Sequence, residues 1–119
     1  VMIRGVRGAI TVSKNDENEI TLAAERLLRD MIDSNQIVPD DVASIFISAT
    51  DDVDAAFPAK ALRNLEGWTY VPVMCMKELA IPGSLQMCIR AMIHVNTQKK
   101  QDEIRHVYLE GAVGLRPDL

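Results

Sequence analysis

The chain has 119 residues, 48% of them hydrophobic and 25% charged, with a net charge of −4. That length supports one domain, residues 1–119, around a single core, and the balance is that of an ordinary soluble globular protein. An acidic total without a basic stripe and interleaved aromatics excludes a nucleic-acid partner. The longest uncharged run, residues 79–89, contains Pro82 and Gly83 and is too short to cross a bilayer, which excludes a membrane one.

The elements follow in chain order. Residues 2–12 are rich in aliphatic and β-branched side chains and predict a strand. Alternation puts Arg7 on one face with Ile3 and Gly5, and Arg4 on the other with Met2 and Val6. Asp16 and Glu19 have the spacing of a capping box. In the helix that follows, Ile20, Ala23, Ala24, Leu27, Leu28, Met31 and Ile32 share one face, and Glu25, Arg26, Arg29 and Asp33 occupy the opposite one. Pro39 lies beyond its end. Residues 42–49 predict a second, largely buried strand, and 50–54 a polar loop. Pro58 suits the first turn of a short helix ending near Gly67; Lys60 and Arg63, three apart, share a face. Residues 68–76 predict a third strand at an edge, because Pro72 cannot donate to a ladder. A loop carrying Glu78 leads to a fourth strand, 85–95, with Arg90 at its centre. Residues 104–109 predict a fifth, with Arg105, His106 and Tyr108, and 111–119 one helical turn and an extended end. Five strands and two helices leave part of the sheet bare, and a symmetric homo-oligomer is the usual way of covering it.

Charge is unevenly spread. Residues 16–54 hold eleven acids against Arg26 and Arg29, a balance of −9, which leaves +5 on the remainder. A local positive pocket on an acidic body is therefore allowed. Arg90 sits in an otherwise apolar strand pattern, where a guanidinium costs several kcal/mol of desolvation unless an anion pairs with it. Arg7 has a similar setting, and Arg116 ends an apolar turn. With Lys60 and Arg63 these side chains point to a small, multiply negative ligand, since the arginine fork matches a carboxylate with two parallel hydrogen bonds. Taken singly, Lys60, Arg63 and Arg116 have surface positions as their default; Arg7 and Arg90 read equally as structural or ligand-binding residues. Glu78, at a strand end, reads as a positioned acceptor or a surface residue. Tyr108 reads as a carboxylate-binding hydroxyl or a half-buried core side chain.

Other chemistries lack their residues. His94 and His106 have no companions at metal-ligand spacing. Cys75 has no evident base and reads as a small packing residue. With Cys88 it forms no CxxC motif, which fits reduced thiols in a cytoplasmic protein. Arg4 and Arg7 in the first apolar stretch are incompatible with a signal peptide. Phosphate loop, nucleophile elbow and zinc motif are all missing. Several arginines, one carboxylate and no nucleophile fit binding, or a reaction that needs only shape and electrostatics.

Five segments carry a resemblance: MIRGVRGA (2–9), FPAKALR (57–63), CIR (88–90), IRHVYL (104–109) and LRPDL (115–119). Together they resemble the small trimeric bacterial monofunctional chorismate mutases over essentially the whole chain. The resemblance implies an α+β fold, a five-stranded mixed sheet with helices packed on one side. Three subunits would form a pseudo-α/β barrel with an active site at each interface. It implies the Claisen rearrangement of chorismate to prephenate on the route to phenylalanine and tyrosine, with no cofactor and no metal. By the family pattern Arg90 would donate to the breaking ether oxygen and Arg7 to a substrate carboxylate. Glu78 would accept from the ring hydroxyl, helped by the Cys75 backbone, and Tyr108 would bind a carboxylate. Phe57, Val73 and Leu115 would shape the pocket, with Lys60, Arg63 and Arg116 at its mouth. Met74 stands where the family commonly has a small hydroxyl residue, which makes one wall bulkier. Two other readings stand beside it: a trimeric binding protein for an anionic metabolite without turnover, which would share most of these residues, and an imine/enamine deaminase on a similar fold, which also uses an interface arginine for a carboxylate but does not fit the five motifs well.

Overall fold

Alternating aliphatic residues build the first strand, β1 (Met2–Thr11), in the computed structural model, which describes residues 1–115. Val6 and Ile10 are buried on one face, so Ile3, Gly5, Arg7, Ala9 and Thr11 point to the other. Between them Gly8 is a packing requirement. A Cβ there would lie 2.5 Å from Met31 Sδ and 3.0 Å from Leu27 Cδ1, so a larger residue would force these buried side chains to shift.

That helix, α1 (Glu17–Asn35), starts where the Asp16 carboxylate accepts from the N–H groups of Asn18 and Glu19, satisfying donors that have no partner within the helix. The Glu19 carboxylate accepts from Ser13 Oγ at 3.4 Å. The helix stops at Gln36, left-handed at φ 50° with its N–H on the Asp33 carbonyl, a conformation that terminates helices. Ile20, Ala24, Leu27, Leu28 and Met31 are buried, and each large one contributes about 1.5–3 kcal/mol by leaving water.

β2 (Val42–Ala49), β3 (Val73–Lys77), β4 (Cys88–Thr97) and β5 (Val107–Leu109) complete a mixed sheet of order β3-β2-β4-β1-β5. The central β4 runs antiparallel to β1 and β2, while β3 and β5 add in parallel at the edges. Register places Ala9, Arg90, Ser48 and Met76 in one row, and Arg7, Met92, Phe46 and Met74 in the next. Ile89, Ala91, Ile93 and Val95 of β4 join Ile45 and Ile47 in the core beneath α1. Arg90, Met92 and His94 therefore face the opposite, largely open side.

The expected elements hold, with four corrections. The third strand begins at Val73, not residue 68: the Trp68 N–H bonds to the Leu65 carbonyl and the Val71 N–H to the Trp68 carbonyl, so local turns take the groups a ladder would use. The fourth begins at Cys88, not 85, because Met87 is left-handed (φ 52°) and its N–H goes to the Asp52 carboxylate. The fifth begins at Val107, not 104. There the buried Asn35 side chain accepts from the Arg105 N–H at 2.8 Å and donates to the Arg105 carbonyl at 2.9 Å. Finally, Pro58–Asn64 is a 3-10 turn beside α1, and the turn Glu110–Leu115 lies on the other face, with Ala112 buried against Ala9 and Cys88. The helical segments thus do not all pack on one side. No helix among the described residues is long and apolar enough to cross a membrane.

Candidate active site

On the open face a cavity of about 410 Å³ is lined by Arg7, Phe46, Ser48, Glu78, Arg90, Met92, Tyr108 and Leu115, among others. Three central strands bring their side chains there for one reason: alternation sends Arg7, Arg90 and Ser48 to the same face, and register sets them in adjacent rows. Arg90 is not the buried charge its sequence context implies, since half of its side-chain surface is exposed in the single chain. Nor does it lack a protein neighbour. Its Nε lies 3.5 Å from Glu78 Oε2, and that same oxygen accepts from Ser48 Oγ at 2.8 Å. At 3.5 Å and this exposure the ion pair is weak and is open to exchange for a ligand. Glu78 is fixed through its backbone, its N–H bonding to the Ala49 carbonyl at 3.1 Å just past the end of β3.

Arg7 enters from β1. Its backbone N–H donates to His106 Nδ1 at 2.9 Å, and no described acid lies within 4.0 Å of its guanidinium. Tyr108, beside Ala9 in the register, and Leu115 close the far wall from the C-terminal turn. Cys88, two residues before Arg90 on the same face of β4, is buried with Ala9 and Ala112. Burial pushes its thiol up from the ordinary value of 9.0, against the opposing pull of the Arg90 guanidinium. The thiol is therefore protonated at neutral pH and places no second anion beside Arg90.

The remaining sequence-predicted residues lie elsewhere in the chain. Phe57, Lys60 and Cys75 line a second, larger cavity of about 830 Å³ on the other side of β3. Lys60 Nζ lies 3.5 Å from Glu17 Oε1, Phe57 is exposed, and Cys75 aligns with the core residue Ile47. Arg63 is exposed on the 3-10 turn, and Val73 starts the edge strand. Met76 and Lys77 line both cavities, so the two groups lie on either side of the end of β3. Arg116 lies outside the described residues. Sequence reasoning missed Ser48, Phe46 and Met92; their alternation in β2 and β4 was visible, but the register that brings them to Arg90 was not.

The arrangement offers two guanidinium groups, one carboxylate and one phenol around an apolar floor, and among the described residues no cluster able to hold a metal. Such a set of groups can pair with a dianion and stabilise developing charge without a nucleophile. The comparisons agree with this chemistry. Residues 3–119 match the family described as chorismate mutase type I. The chain is 53% identical to chorismate mutase AroH of Bacillus subtilis (strain 168), covering 100% of this chain and 94% of that one. It is 43% identical to chorismate mutase AroH of Thermus thermophilus, covering 99% and 97%. A solved chorismate mutase from Clostridium thermocellum superposes with a TM-score of 0.89 at 50% identity, over 92% of this chain and 96% of that one. The chain belongs to the chorismate mutase type I family.

Proposed function

We propose that this chorismate mutase converts chorismate to prephenate in sites that two protomers of a homotrimer build together. The observation that carries the reading is the split of the site residues. Arg7, Glu78, Arg90, Tyr108 and Leu115 line one cavity, while Phe57, Lys60 and Cys75 line another behind the edge strand. Met74, Met76, Leu79 and Ile81 are exposed along β3 and the loop after it, an apolar edge of the kind that marks an interface. Docking that edge on the open face of a neighbour would bring the second group, with Arg63 and Val73, over the first. Met74 would then meet the substrate side of the site, as a bulkier wall than a hydroxyl residue. The domain would be the whole of residues 1–119, acting in aromatic amino acid biosynthesis in the cytoplasm.

In the rearrangement the C–O bond breaks ahead of C–C formation, and negative charge grows on the ether oxygen. Arg90 would donate to that oxygen, stabilising the transition state more than the ground state. One such donor is worth about 3–4 kcal/mol, against at least about 8 kcal/mol for a typical enzyme. The difference would come from holding the compact reactive conformer. Arg7 and Tyr108 would grip a carboxylate, Glu78 would take the ring hydroxyl with help from the Cys75 backbone, and Phe57, Val73 and Leu115 would exclude water. Lys60, Arg63 and Arg116 would attract the dianion at the mouth. No proton is transferred, so neither cofactor nor metal is called for. Incubating purified protein with chorismate tests the reading: loss of chorismate absorbance with prephenate formation is expected, and unchanged absorbance at micromolar enzyme would contradict it.

A further inference from the structure

The approach to Arg90 is unusual. Met87, three residues earlier, is one of three described non-glycine residues with positive φ, a conformation that a bulky side chain adopts only under constraint. The constraint is visible. Both Asp52 carboxylate oxygens lie 3.1 Å from the Met87 N–H. Thr50 Oγ1 donates to Asp52 Oδ1 and accepts from the Cys88 N–H at 3.0 Å. The Thr50 N–H donates to the Cys88 carbonyl at 3.0 Å, and the Val12 N–H to the Met87 carbonyl at 2.7 Å. The preceding residue, Ala49, accepts from the Glu78 N–H. The short segment 49–52 therefore holds the backbone of Glu78 at one end and the start of β4 at the other.

We infer that Asp52, which does not itself line the Arg90 cavity, is a positioning residue for the rearrangement: by pinning Met87 in its left-handed conformation it fixes where Arg90 stands relative to Glu78. This deepens the proposed function and rests on it. A donor that stabilises charge present only in the transition state must be placed to a fraction of an ångström, and a 1 Å error costs about a hundred-fold. Losing the Asp52 carboxylate frees Met87 to relax toward negative φ and lets the start of β4 shift. The cost falls on kcat rather than KM, since Arg7 and Tyr108 stand on β1 and β5 and keep their grip.

The experiment combines kinetics with a crystal structure of Asp52→Ala. The expected structure has Met87 outside the left-handed region and an Arg90 Nε to Glu78 Oε2 separation beyond 3.5 Å. The expected kinetics are a fall in kcat of about ten- to a hundred-fold with KM within about two-fold. Glycine adopts positive φ freely, so the Asp52→Ala loss should shrink several-fold in a Met87→Gly background, a coupling that general destabilisation does not produce. If Asp52→Ala yields no folded protein, Asp52→Asn, which keeps one acceptor, carries the same readouts. An unchanged Met87–Arg90 geometry, or an equal kcat loss in both backgrounds, would overturn the inference. Wild-type protein that leaves chorismate intact would contradict the proposed function, while the crystal geometry would still decide this one.

Discussion

The two faces of β4 divide the labour of the molecule. On one, Ile89, Ala91, Ile93 and Val95 are buried beneath α1; on the other, Arg90 and Met92 line a cavity beside Glu78. A single strand with a period of two carries the core on one side and, on the proposed function, the chemistry on the other. Changes on the covered face should therefore move Tm, and changes on the open face should move kcat.

The largest effect expected is that of Arg90→Lys. A point charge cannot reproduce the oriented fork, so kcat should fall about 10²–10³-fold while Tm moves little, the side chain being half exposed. Chorismate turnover and a melting curve check both halves; near-normal turnover would remove Arg90 from its role. On the covered face, Leu27→Ala should cost about 2–5 kcal/mol, read by denaturant unfolding. The kcat per folded molecule should be unchanged, and a selective kcat loss would break the division between the faces.

How much of this was legible beforehand depended on the range of the interaction. Arg7 and Arg90 stood out because a charge in an apolar alternation is a local signal, and the α1 face followed from its helical period. The starts of β4 and β5 were not legible, because Asp52 and Asn35 divert the backbone groups of Met87 and Arg105 from 35 and 70 residues away. The Ser48–Glu78–Arg90 contact was hidden for the same reason: it exists only once β2 and β4 have paired in register. The desolvation cost read into Arg90 assumed a strand covered on both faces, whereas one face is open in the single chain. The grouping of Arg7, Glu78, Arg90 and Tyr108 rested on family motifs, and the sheet supplies its geometric reason.

Two smaller effects sharpen the contrast. Arg26, on the solvent side of α1, pairs with Glu110, which is left-handed at φ 52° and opens the turn that carries Leu115. The next residue, Gly111, donates its N–H to Thr11 Oγ1 at 2.8 Å. Both partners of the ion pair are more than half exposed, so Arg26→Ala should cost no more than about 0.2–1 kcal/mol and show mainly as a few-fold rise in KM that high salt mimics in the wild type. The smallest is a pH effect. The Cys88 thiol is raised by burial, so the stability it contributes is fully present below its ordinary value of 9.0 and is lost as pH rises through the higher folded-state value. Cys88→Ala should flatten that alkaline decline in unfolding titrations. The catalytic rate itself should stay level from mildly acidic to mildly alkaline pH, and a bell-shaped profile would indicate acid–base chemistry instead.

Subunit complementation tests the shared site most directly. Arg90→Ala removes one half of the site, and Lys60→Ala with Arg63→Ala removes the cations that the other half brings to its mouth, so each chain alone should turn over sub-saturating chorismate far more slowly than the wild type. Trimers formed by mixing the two chains should recover activity, up to about a quarter of the wild-type rate for random assembly around a three-fold axis, because some interfaces then join two intact halves. Mixed trimers whose activity never exceeds that of the separate variants would contradict a site built by two protomers.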